Sequence, residues 1–220
     1  MTKIVEIAVS LMVSLIILLG AFFYVIDLNG FYTYEIEKND IAGIVNIPKD
    51  DLLPLYKALT DYMVDKRDDI QIQAMVDGVA IPMYNQREID HMVDVKRLSM
   101  AAKHLLYILM GLTALGLFHL VRRKIDFKHI FLGQLISTLI IFVGFAGMAM
   151  TDFTTYFIKF HELVFTNDLW VLDPNTSRMI QLLPEVFFRD VVILTVLGYG
   201  FVSFLLAIAG VAVNRRLLKR

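Results

Sequence analysis

The sequence contains no cysteine, and this absence removes several chemistries at once. Without a thiol, the protein has no disulfide scaffold, no cysteine nucleophile and no thiolate metal ligands. Charged residues are scarce, at 20% of 220 residues against about 25% in an average soluble domain. The apolar share of 57% exceeds the usual range of about 45–50%. This composition argues against a secreted scaffold, a disordered tail or an ordinary soluble enzyme, and predicts a small integral membrane protein.

Acidic residues, lysine and arginine are missing from four long apolar stretches. Each stretch approaches the roughly 20 residues that a membrane-spanning helix requires. They cover residues 7–26, 105–121, 130–150 and 191–213. The first is longer than the apolar core of a signal peptide, about 7–15 residues, and no small-x-small cleavage motif follows it. We therefore predict a retained anchor followed by three further spans.

Charge is sorted strongly along the chain although its net value is only −1. Lys3, the 122–129 connection and the 214–220 tail contribute nine basic residues and one acidic residue, whereas Glu6 and Lys103 lie at the starts of apolar stretches and cancel. The two long loops, 27–98 and 151–190, carry 11 basic and 20 acidic residues. Short loops that are rich in lysine and arginine lie on the cytoplasmic side of a membrane. Both termini are therefore predicted to be cytoplasmic, and both long loops are predicted to face outward.

The predicted fold class is a membrane all-α core of four transmembrane helices with a small extracytoplasmic α+β cap. Five regions follow along the chain from the patterns of apolarity and charge. They are a first transmembrane anchor (1–26), a cap with the helical extension of the second span (27–98), the second and third spans with a short cytoplasmic loop (99–150), an extracytoplasmic aromatic helix and motif loop (151–190), and the fourth span with a basic cytoplasmic tail (191–220).

Strand patterns within the first long loop support the β part of the cap. Residues 31–37 are rich in strand formers, and residues 70–76 alternate between polar and apolar side chains. Asp77-Gly78 signals a tight turn, and residues 79–83 form the expected partner strand.

A helix is predicted between those strands, over residues 52–63. Asp50 or Asp51 supplies a side chain that caps a helix N-terminus. Pro54 then falls in the predicted first turn, where its missing N–H is tolerated.

A single long helix is predicted over residues 86–121. Asn85 can cap it, with Glu88 three residues later as in a capping box. Proline and glycine are absent from 86–110. At about 1.5 Å per residue the helix is about 54 Å long, whereas a bilayer core is about 30 Å thick. Its first turns, which carry His91, must therefore stand outside the membrane.

The second long loop begins with an aromatic helix, predicted over residues 152–165. Helical spacing places several side chains on one stripe: Phe153, Tyr156, Phe157, Phe160, His161 and Val164. Such a stripe suits a helix at the outer membrane interface. Trp170, the only tryptophan, suits the lipid headgroup level.

His91 and His161 are the histidines of the two outward segments, and they are the candidate acid–base groups. Histidine takes and releases protons near neutral pH. Asp94 lies three positions after His91 on the same helix face and is placed to fix the imidazole tautomer. From composition alone, the favoured interpretation of each histidine is an interfacial residue with satisfied hydrogen bonds.

Outward-facing serines are limited to Ser99 and Ser177, and neither lies in a Gly-x-Ser-x-Gly elbow. A double-displacement enzyme with its own serine is therefore poorly supported. If the protein is an enzyme, the residues fit best a histidine that transfers protons and a substrate that carries its own nucleophile.

Metal and nucleic-acid binding have weak support, and we predict no metal and no other cofactor. The outward carboxylates that accompany the two histidines are Asp90, Asp94, Glu162, Asp168 and Asp173. His161-Glu162 lacks a second histidine at the spacing of a zinc-protease helix. Basic patches occur only on the cytoplasmic rim, where topology and lipid headgroups explain them. Two alternatives remain open from the residues: a metal-dependent membrane hydrolase of lipid or peptide, and a non-enzymatic membrane sensor or partner protein.

Two blocks of sequence carry a resemblance to a known family. They are residues 87–96 (REIDHMVDVK) and residues 160–176 (FHELVFTNDLWVLDPNT), the latter followed by residues 183–188 (LPEVFF). With the four spans and the loop lengths, the chain resembles the bacterial integral membrane family of lipoprotein intramolecular transacylases (Lit). The resemblance covers essentially the whole chain and implies a site facing outward from the bacterial cytoplasmic membrane.

The resemblance implies a reaction and a substrate. A diacylated lipoprotein presents an N-terminal cysteine whose sulfur carries a diacylglyceryl group. The sn-2 acyl chain moves from the glycerol oxygen to the α-amino group and gives the lyso form. The amine is the nucleophile, which agrees with the lack of an enzyme nucleophile. The expected partners are this lipoprotein and membrane lipid, with the enzyme acting as a monomer.

The resemblance also implies residue roles, because each block contains one of the two histidines. His91 and His161 are the catalytic residues, sharing acid–base work. Supporting or substrate-binding residues lie beside them: Asp94, Asn167, Asp168, Asp173 and Arg178. Asp94 is expected to orient His91. Asn167, or a backbone N–H near it, is expected to stabilise the tetrahedral oxyanion, and the other three to hold the loop or bind the substrate headgroup.

Overall fold

Long helices dominate the protein, whose computed structural model describes residues 2–76, 79–125 and 127–217. The order of elements is α1 (Thr2–Ile26), α2 (Asn29–Lys38), α3 (Ile41–Val45), α4 (Lys49–Met63), β1 (Gln73–Val76), β2 (Val79–Pro82), α5 (Gln86–Arg122), α6 (Lys128–Met150), α7 (Phe153–Val164), α8 (Arg178–Leu182) and α9 (Glu185–Leu217). Within the described residues, α1, α5, α6 and α9 are long and apolar enough to cross a membrane. The predicted fold class is confirmed.

The chain divides into two compact units, each built from separate parts of the sequence. The first unit comprises residues up to 23, residues 102–151 and residues from 192 onward. Its interior contains Val9, Leu120 and Ile130, which are fully or almost fully buried. Ser10 Oγ donates a hydrogen bond to the Ile130 carbonyl oxygen at 3.0 Å. Such polar links between helices stabilise membrane bundles, where lipid competes for apolar contacts.

The second unit comprises residues 24–101 and 152–191, and it holds the small sheet. Strands β1 and β2 pair antiparallel, with Gln73 opposite Pro82 and Val76 opposite Val79. The predicted Asp77-Gly78 turn lies outside the described residues. Helix α2 contacts α4, and α3 contacts α8. The rings of Tyr32, Tyr56 and Phe187 stack on one another at centroid distances of 5.0–6.1 Å.

The strand predicted over residues 31–37 is wrong, because this segment forms helix α2. Its buried residues are Phe31, Tyr32, Glu35 and Ile36. That spacing follows one face of a helix, and the face packs on the interior of the second unit. Tertiary burial has therefore overridden the strand preference of aromatic and β-branched residues.

Helix α4 confirms the predicted helix but begins earlier. Its N-cap is Pro48, which makes no side-chain capping bond, so Asp50 and Asp51 are not caps. They lie in the first turn, where their charges favour the helix N-terminus. Pro54 is the sixth residue of the helix, beyond the first turn in which it was predicted.

Helices α5 and α7, which carry the candidate histidines, were both predicted correctly. Asn85 and Glu88 form the expected capping box: Glu88 N donates to Asn85 Oδ1 at 3.0 Å, and Asn85 N donates to Glu88 Oε2 at 2.8 Å. Helix α7 is capped by Asp152, whose carboxylate accepts a bond from the Thr155 backbone N–H. Both caps fix where these helices start, and hence where their side chains point.

Candidate active site

His91 and His161 come together within the second unit, although 70 residues separate them in sequence. Their ring centroids are 6.2 Å apart. His91 lies in the second turn of α5, and His161 lies near the end of α7. The two side chains are 8% and 9% exposed, respectively. Burial of two histidines side by side is unusual for residues without a function. The charged form of each ring would lose its hydration there, so burial disfavours protonation.

Aromatic side chains surround the two imidazoles. Phe165 contacts both, with centroid distances of 5.3 Å to His91 and 5.6 Å to His161. Trp170 lies 5.0 Å from His161, and Phe157 lies 4.4 Å from it. These rings exclude water from the histidines and lower the local dielectric.

One tautomer of His161 is fixed by the backbone. Its Nδ1 lies 2.7 Å from the Phe157 carbonyl oxygen. A carbonyl only accepts hydrogen bonds, so Nδ1 carries the proton and Nε2 of the neutral ring has a free lone pair. His91 Nδ1 is buried and has no hydrogen-bond partner in the described part of the chain. The pair therefore offers one oriented proton acceptor and one polar atom without a protein partner.

Burial lowers the pKa of both histidines. The pKa of His91, which lies outside the apolar 105–121 stretch, falls to about 4 because of desolvation and then the nearby charge of His161. Asp94 acts in the opposite direction. Desolvation also lowers the pKa of His161, partly offset by its bond to Phe157. Both imidazoles are consequently neutral at pH 7.

The shifts predict a measurable titration. In protein with isotope-labelled histidines, we expect His91 to titrate at about pH 4 and His161 below the ordinary value of about 6.5. His91→Gln and His161→Gln variants would assign the NMR signals. The folded state resists protonation of His91, so its contribution to unfolding free energy is present above about pH 6.5 and is lost as the pH falls toward 4. A midpoint at or above 6.5 for either ring contradicts a desolvated pair.

Asp94 is close to the histidines but does not bond His91 as predicted. Its carboxylate accepts hydrogen bonds from Arg97 Nη1 at 3.0 Å and from Asn167 Nδ2 at 2.8 Å. The ring of His91 instead lies against Phe165. Two donors therefore occupy Asp94, which acts on His91 through its charge alone.

The other predicted supporting residues mostly shape the loop after α7. Asn167 Oδ1 accepts from the Leu169 N–H at 3.0 Å, and Asp173 Oδ1 accepts from the Asn175 N–H at 2.9 Å. Asp168 pairs with Arg87, at 3.4 Å between Oδ1 and Nη2. Arg178 is the first residue of α8 and is half-buried. Asn167 and Asp168 thus lie with the site, whereas Asp173 builds a turn.

A cleft of about 300 Å³ lies beside Phe165. It is lined by Asp94, Arg97, Leu98, Val164, Phe165, Thr166 and Asn167. Phe165 belongs both to this cleft and to the wall around the two rings. Neither histidine lines the cleft, so Phe165 is the residue that connects it to the pair.

The described residues hold no group of three or more histidines and carboxylates placed to bind a metal. Ser177 is not free to attack a substrate, because its hydroxyl donates to Glu88 and accepts from the Ile180 N–H. Ser99 is buried.

Three residues of the site were not predicted as part of it: Phe165, Trp170 and Glu88. Phe165 ends the aromatic helix, and Trp170 had been assigned to the headgroup level. Trp170 is half-buried, and its ring lies 5.0 Å from the ring of His161. Glu88 was recognised only as a capping residue. A signal for Phe165 and Trp170 was their position within the same block as His161.

Comparisons with known proteins concern the family and the fold of the chain. A family model described as lipoprotein intramolecular transacylase Lit matches residues 7–188. A structure of the membrane integral Lit from Bacillus cereus is 24% identical, with a TM-score of 0.82, and covers all of this chain and 96% of that chain. Two structures of that protein with one histidine replaced, by arginine or by alanine, have TM-scores of 0.76 and 0.78. They are 24% and 23% identical and cover all of this chain and 92% and 94% of theirs. At these identities the structures show a shared fold, and no curated protein matches the chain.

Proposed function

The chain belongs to the lipoprotein intramolecular transacylase (Lit) family, and we propose that His91 and His161 share the proton transfers of its reaction. The protein is a multi-pass membrane acyltransferase that acts on lipoproteins. The observation that carries the proposal is the pairing of two buried, neutral imidazoles 6.2 Å apart.

The substrate of the proposed reaction is a diacylated lipoprotein, and every bond change occurs within it. The N-terminal amine attacks the carbonyl carbon of the sn-2 ester and forms a C–N bond. A histidine takes the proton that the nitrogen gives up. The tetrahedral intermediate then collapses, the ester C–O bond breaks, and a histidine returns a proton to the glycerol oxygen. An amide and a free hydroxyl result, so the product is an isomer of the substrate.

His161 is the better placed of the two to accept the proton from the amine. Its Nδ1–H is committed to the Phe157 carbonyl, which leaves Nε2 as the base. A lowered pKa makes the resulting imidazolium a stronger acid, suited to returning the proton to the leaving oxygen. His91 Nδ1 has no protein partner within the described residues and is available to the substrate.

Exclusion of water supports transfer over hydrolysis. The two imidazoles are almost fully buried behind Phe165 and Trp170. An ester activated there meets an amine tethered to the same molecule at high effective concentration. Hydrolysis would require water to enter the same dry space.

Stabilisation of the oxyanion in the tetrahedral intermediate by Asn167 stays a prediction. Asn167 Nδ2 has two hydrogens, and the bond to Asp94 uses one of them. The side chain also lines the cleft beside Phe165. Asp168, through Arg87, holds the loop that carries it.

Charge sorting supports a site on the outer face, with both termini in the cytoplasm. The acidic long loops contribute both histidines, and the basic segments lie at the termini and in the 122–129 connection. In this arrangement the lipoprotein reaches the enzyme within the outer leaflet. Lipid is the remaining partner that we propose. One chain supplies both histidines, so the proposed site needs no second copy, and we propose a monomer.

The test uses a diacylated reporter lipoprotein in cells that lack N-acylating enzymes. Expression of this protein should leave the mass of the reporter's N-terminal lipopeptide unchanged while fragmentation places one acyl chain on nitrogen. A catalytically disabled His161→Ala variant, expressed equally, should leave the acyl chain on oxygen. Loss of one acyl chain would instead identify a hydrolase, and chelator treatment would then test a metal requirement. An unaltered reporter under good expression would refute the proposed transfer.

A further inference from the structure

Glu88 has a buried carboxylate that binds two parts of the second unit together. Its side chain is 1% exposed. Oε2 accepts from the Asn85 N–H at 2.8 Å and completes the capping box of α5. Oε1 accepts from the Ser177 hydroxyl at 2.5 Å and from the Met179 N–H at 3.1 Å. The cap of α5 needs only the first of these bonds, so the other two serve a different purpose.

The bonds to Oε1 fix the far end of the loop of residues 165–177. This loop begins at Phe165, which contacts the rings of both His91 and His161. It also carries Trp170, which contacts His161. The positions of Phe165 and Trp170 around the catalytic pair therefore depend on the position of this loop.

Two other ties hold the loop to α5, and both are less protected. Arg87 pairs with Asp168, and both side chains are exposed to water. Asn167 bonds to Asp94, and the Asn167 side chain is also exposed. Water competes with exposed polar pairs and screens them, whereas hydrogen bonds to a buried carboxylate are strong and costly to break. Glu88 is thus the tie on which the loop depends most.

We propose that Glu88 is a positioning residue for acyl transfer: its carboxylate clamps the 165–177 loop onto α5 so that the loop keeps both imidazoles in place. Glu88 precedes His91 by three residues, less than one turn of α5, and acts through the loop without touching substrate. The inference rests on the proposed function for its kinetic consequence. Its structural consequence, a fixed position for Trp170, can be measured without any activity.

Glu88→Gln tests the clamp with almost no change in shape. A glutamine amide group would face either the Asn85 N–H or the two donors on the Oε1 side, so at least one donor loses its acceptor. We expect kcat for acyl transfer to fall at least tenfold, with a smaller change in KM. Glu88→Asp, which keeps the charge but is one methylene shorter, should recover part of the loss.

Tyr56→Phe is the matched control. It removes a buried hydrogen bond from the Tyr56 hydroxyl to the Leu182 carbonyl, at the other end of α8 from Ser177. We expect it to lower the melting temperature about as much as Glu88→Gln does while kcat changes less than twofold. If Glu88 had only a structural role, kcat would fall together with the melting temperature in both Glu88→Gln and Tyr56→Phe.

Trp170 provides a direct readout because it is the only tryptophan. In Glu88→Gln we expect its fluorescence to shift to the red and its quenching by acrylamide to increase, with neither change in Tyr56→Phe. If Glu88→Gln does not accumulate as folded protein, Ser177→Ala takes its place. It removes one of the three bonds to Glu88 and also the bond that the Ser177 hydroxyl accepts from the Ile180 N–H at the start of α8. Normal kcat and an unchanged Trp170 signal in the folded variant would overturn the proposal, and so would equal loss of kcat in Tyr56→Phe. Absence of transfer by the unaltered protein would refute the proposed function alone, since the fluorescence comparison still tests the clamp.

Discussion

Replacing His161 with alanine should lower the rate of acyl transfer by about 10²–10⁴-fold, the usual contribution of a general acid–base group. His161 is the imidazole whose tautomer is fixed, with Nδ1–H on the Phe157 carbonyl and Nε2 free. Initial rates of N-acyl product formation, measured by mass spectrometry at equal enzyme concentration, give the size of the loss. In the proposed reaction, neither a cofactor nor an enzyme nucleophile takes part, so neither can replace the base that His161 supplies.

Two comparisons make the His161 result specific. In His161→Asn the side-chain Nδ2 takes the place of the ring Nδ1 and can still donate to the Phe157 carbonyl, but the amide cannot act as a base near neutral pH, so the loss should match that of alanine. In His119→Ala, a histidine is removed from the apolar stretch of α5, and the rate should stay within about twofold of the parent protein. A His161→Asn enzyme with most of its activity would show that His161 serves structure and not proton transfer.

Loss of His91 should be of the same order, about 10²–10⁴-fold. His91 is buried 6.2 Å from His161 by ring centroids and contacts the same Phe165 ring. Since residues that act as a unit in catalysis show strongly non-additive losses, the double variant His91→Ala/His161→Ala should be little slower than either single variant. The measurement is the same rate assay on all four proteins.

The outcome of that double-mutant comparison distinguishes two mechanisms. Losses that multiply in the double variant would mean that the histidines act independently, for example with one binding substrate and the other transferring a proton. Equal losses in single and double variants support one shared proton-transfer path. Melting temperatures of the four proteins control for folding, since truncation of a buried ring also leaves a cavity.

The membrane helices could be predicted because one physical requirement dominates them. A bilayer core excludes charge and demands about 20 apolar residues, and the four stretches satisfy this without help from tertiary contacts. Helix α5 was predicted through its extramembrane turns for an equally local reason, since nothing from Gln86 to Met110 breaks a helix. Local rules suffice where every local signal agrees.

Helix α2 shows where local rules fail. Phe31, Tyr32 and Ile36 favour strands individually, yet together with Glu35 they form one buried helical face. The surface that receives this face includes Tyr56 and Phe187, which are distant in sequence. Without knowledge of that surface, the strand preference is the stronger signal.

The site was predictable in its residue types but not in its contacts. Both histidines were identified because each lies in a block that resembles the family, and the structure brings them together. The bond between Asp94 and Asn167 was not foreseeable, because Asn167 lies 73 residues away and competes with the near neighbour His91. The same limit hid the second role of Glu88, whose Oε1 partners lie 89 and 91 residues later.

Because the second unit is built from two separate parts of the sequence, its parts are synthesised at different times on the ribosome. Residues 24–101 of this unit are made after the first 23 residues of the chain, then come 50 residues of the other unit, and only then residues 152–191 with His161. At about 5–20 residues per second, the 70 residues between the histidines take roughly 4–14 seconds to synthesise. During that interval a nascent chain already displays His91 but has no partner imidazole and no Phe165 wall. On the proposed mechanism, catalytic competence therefore arises late in translation, and we expect a chain that stalls between the two blocks to be inactive.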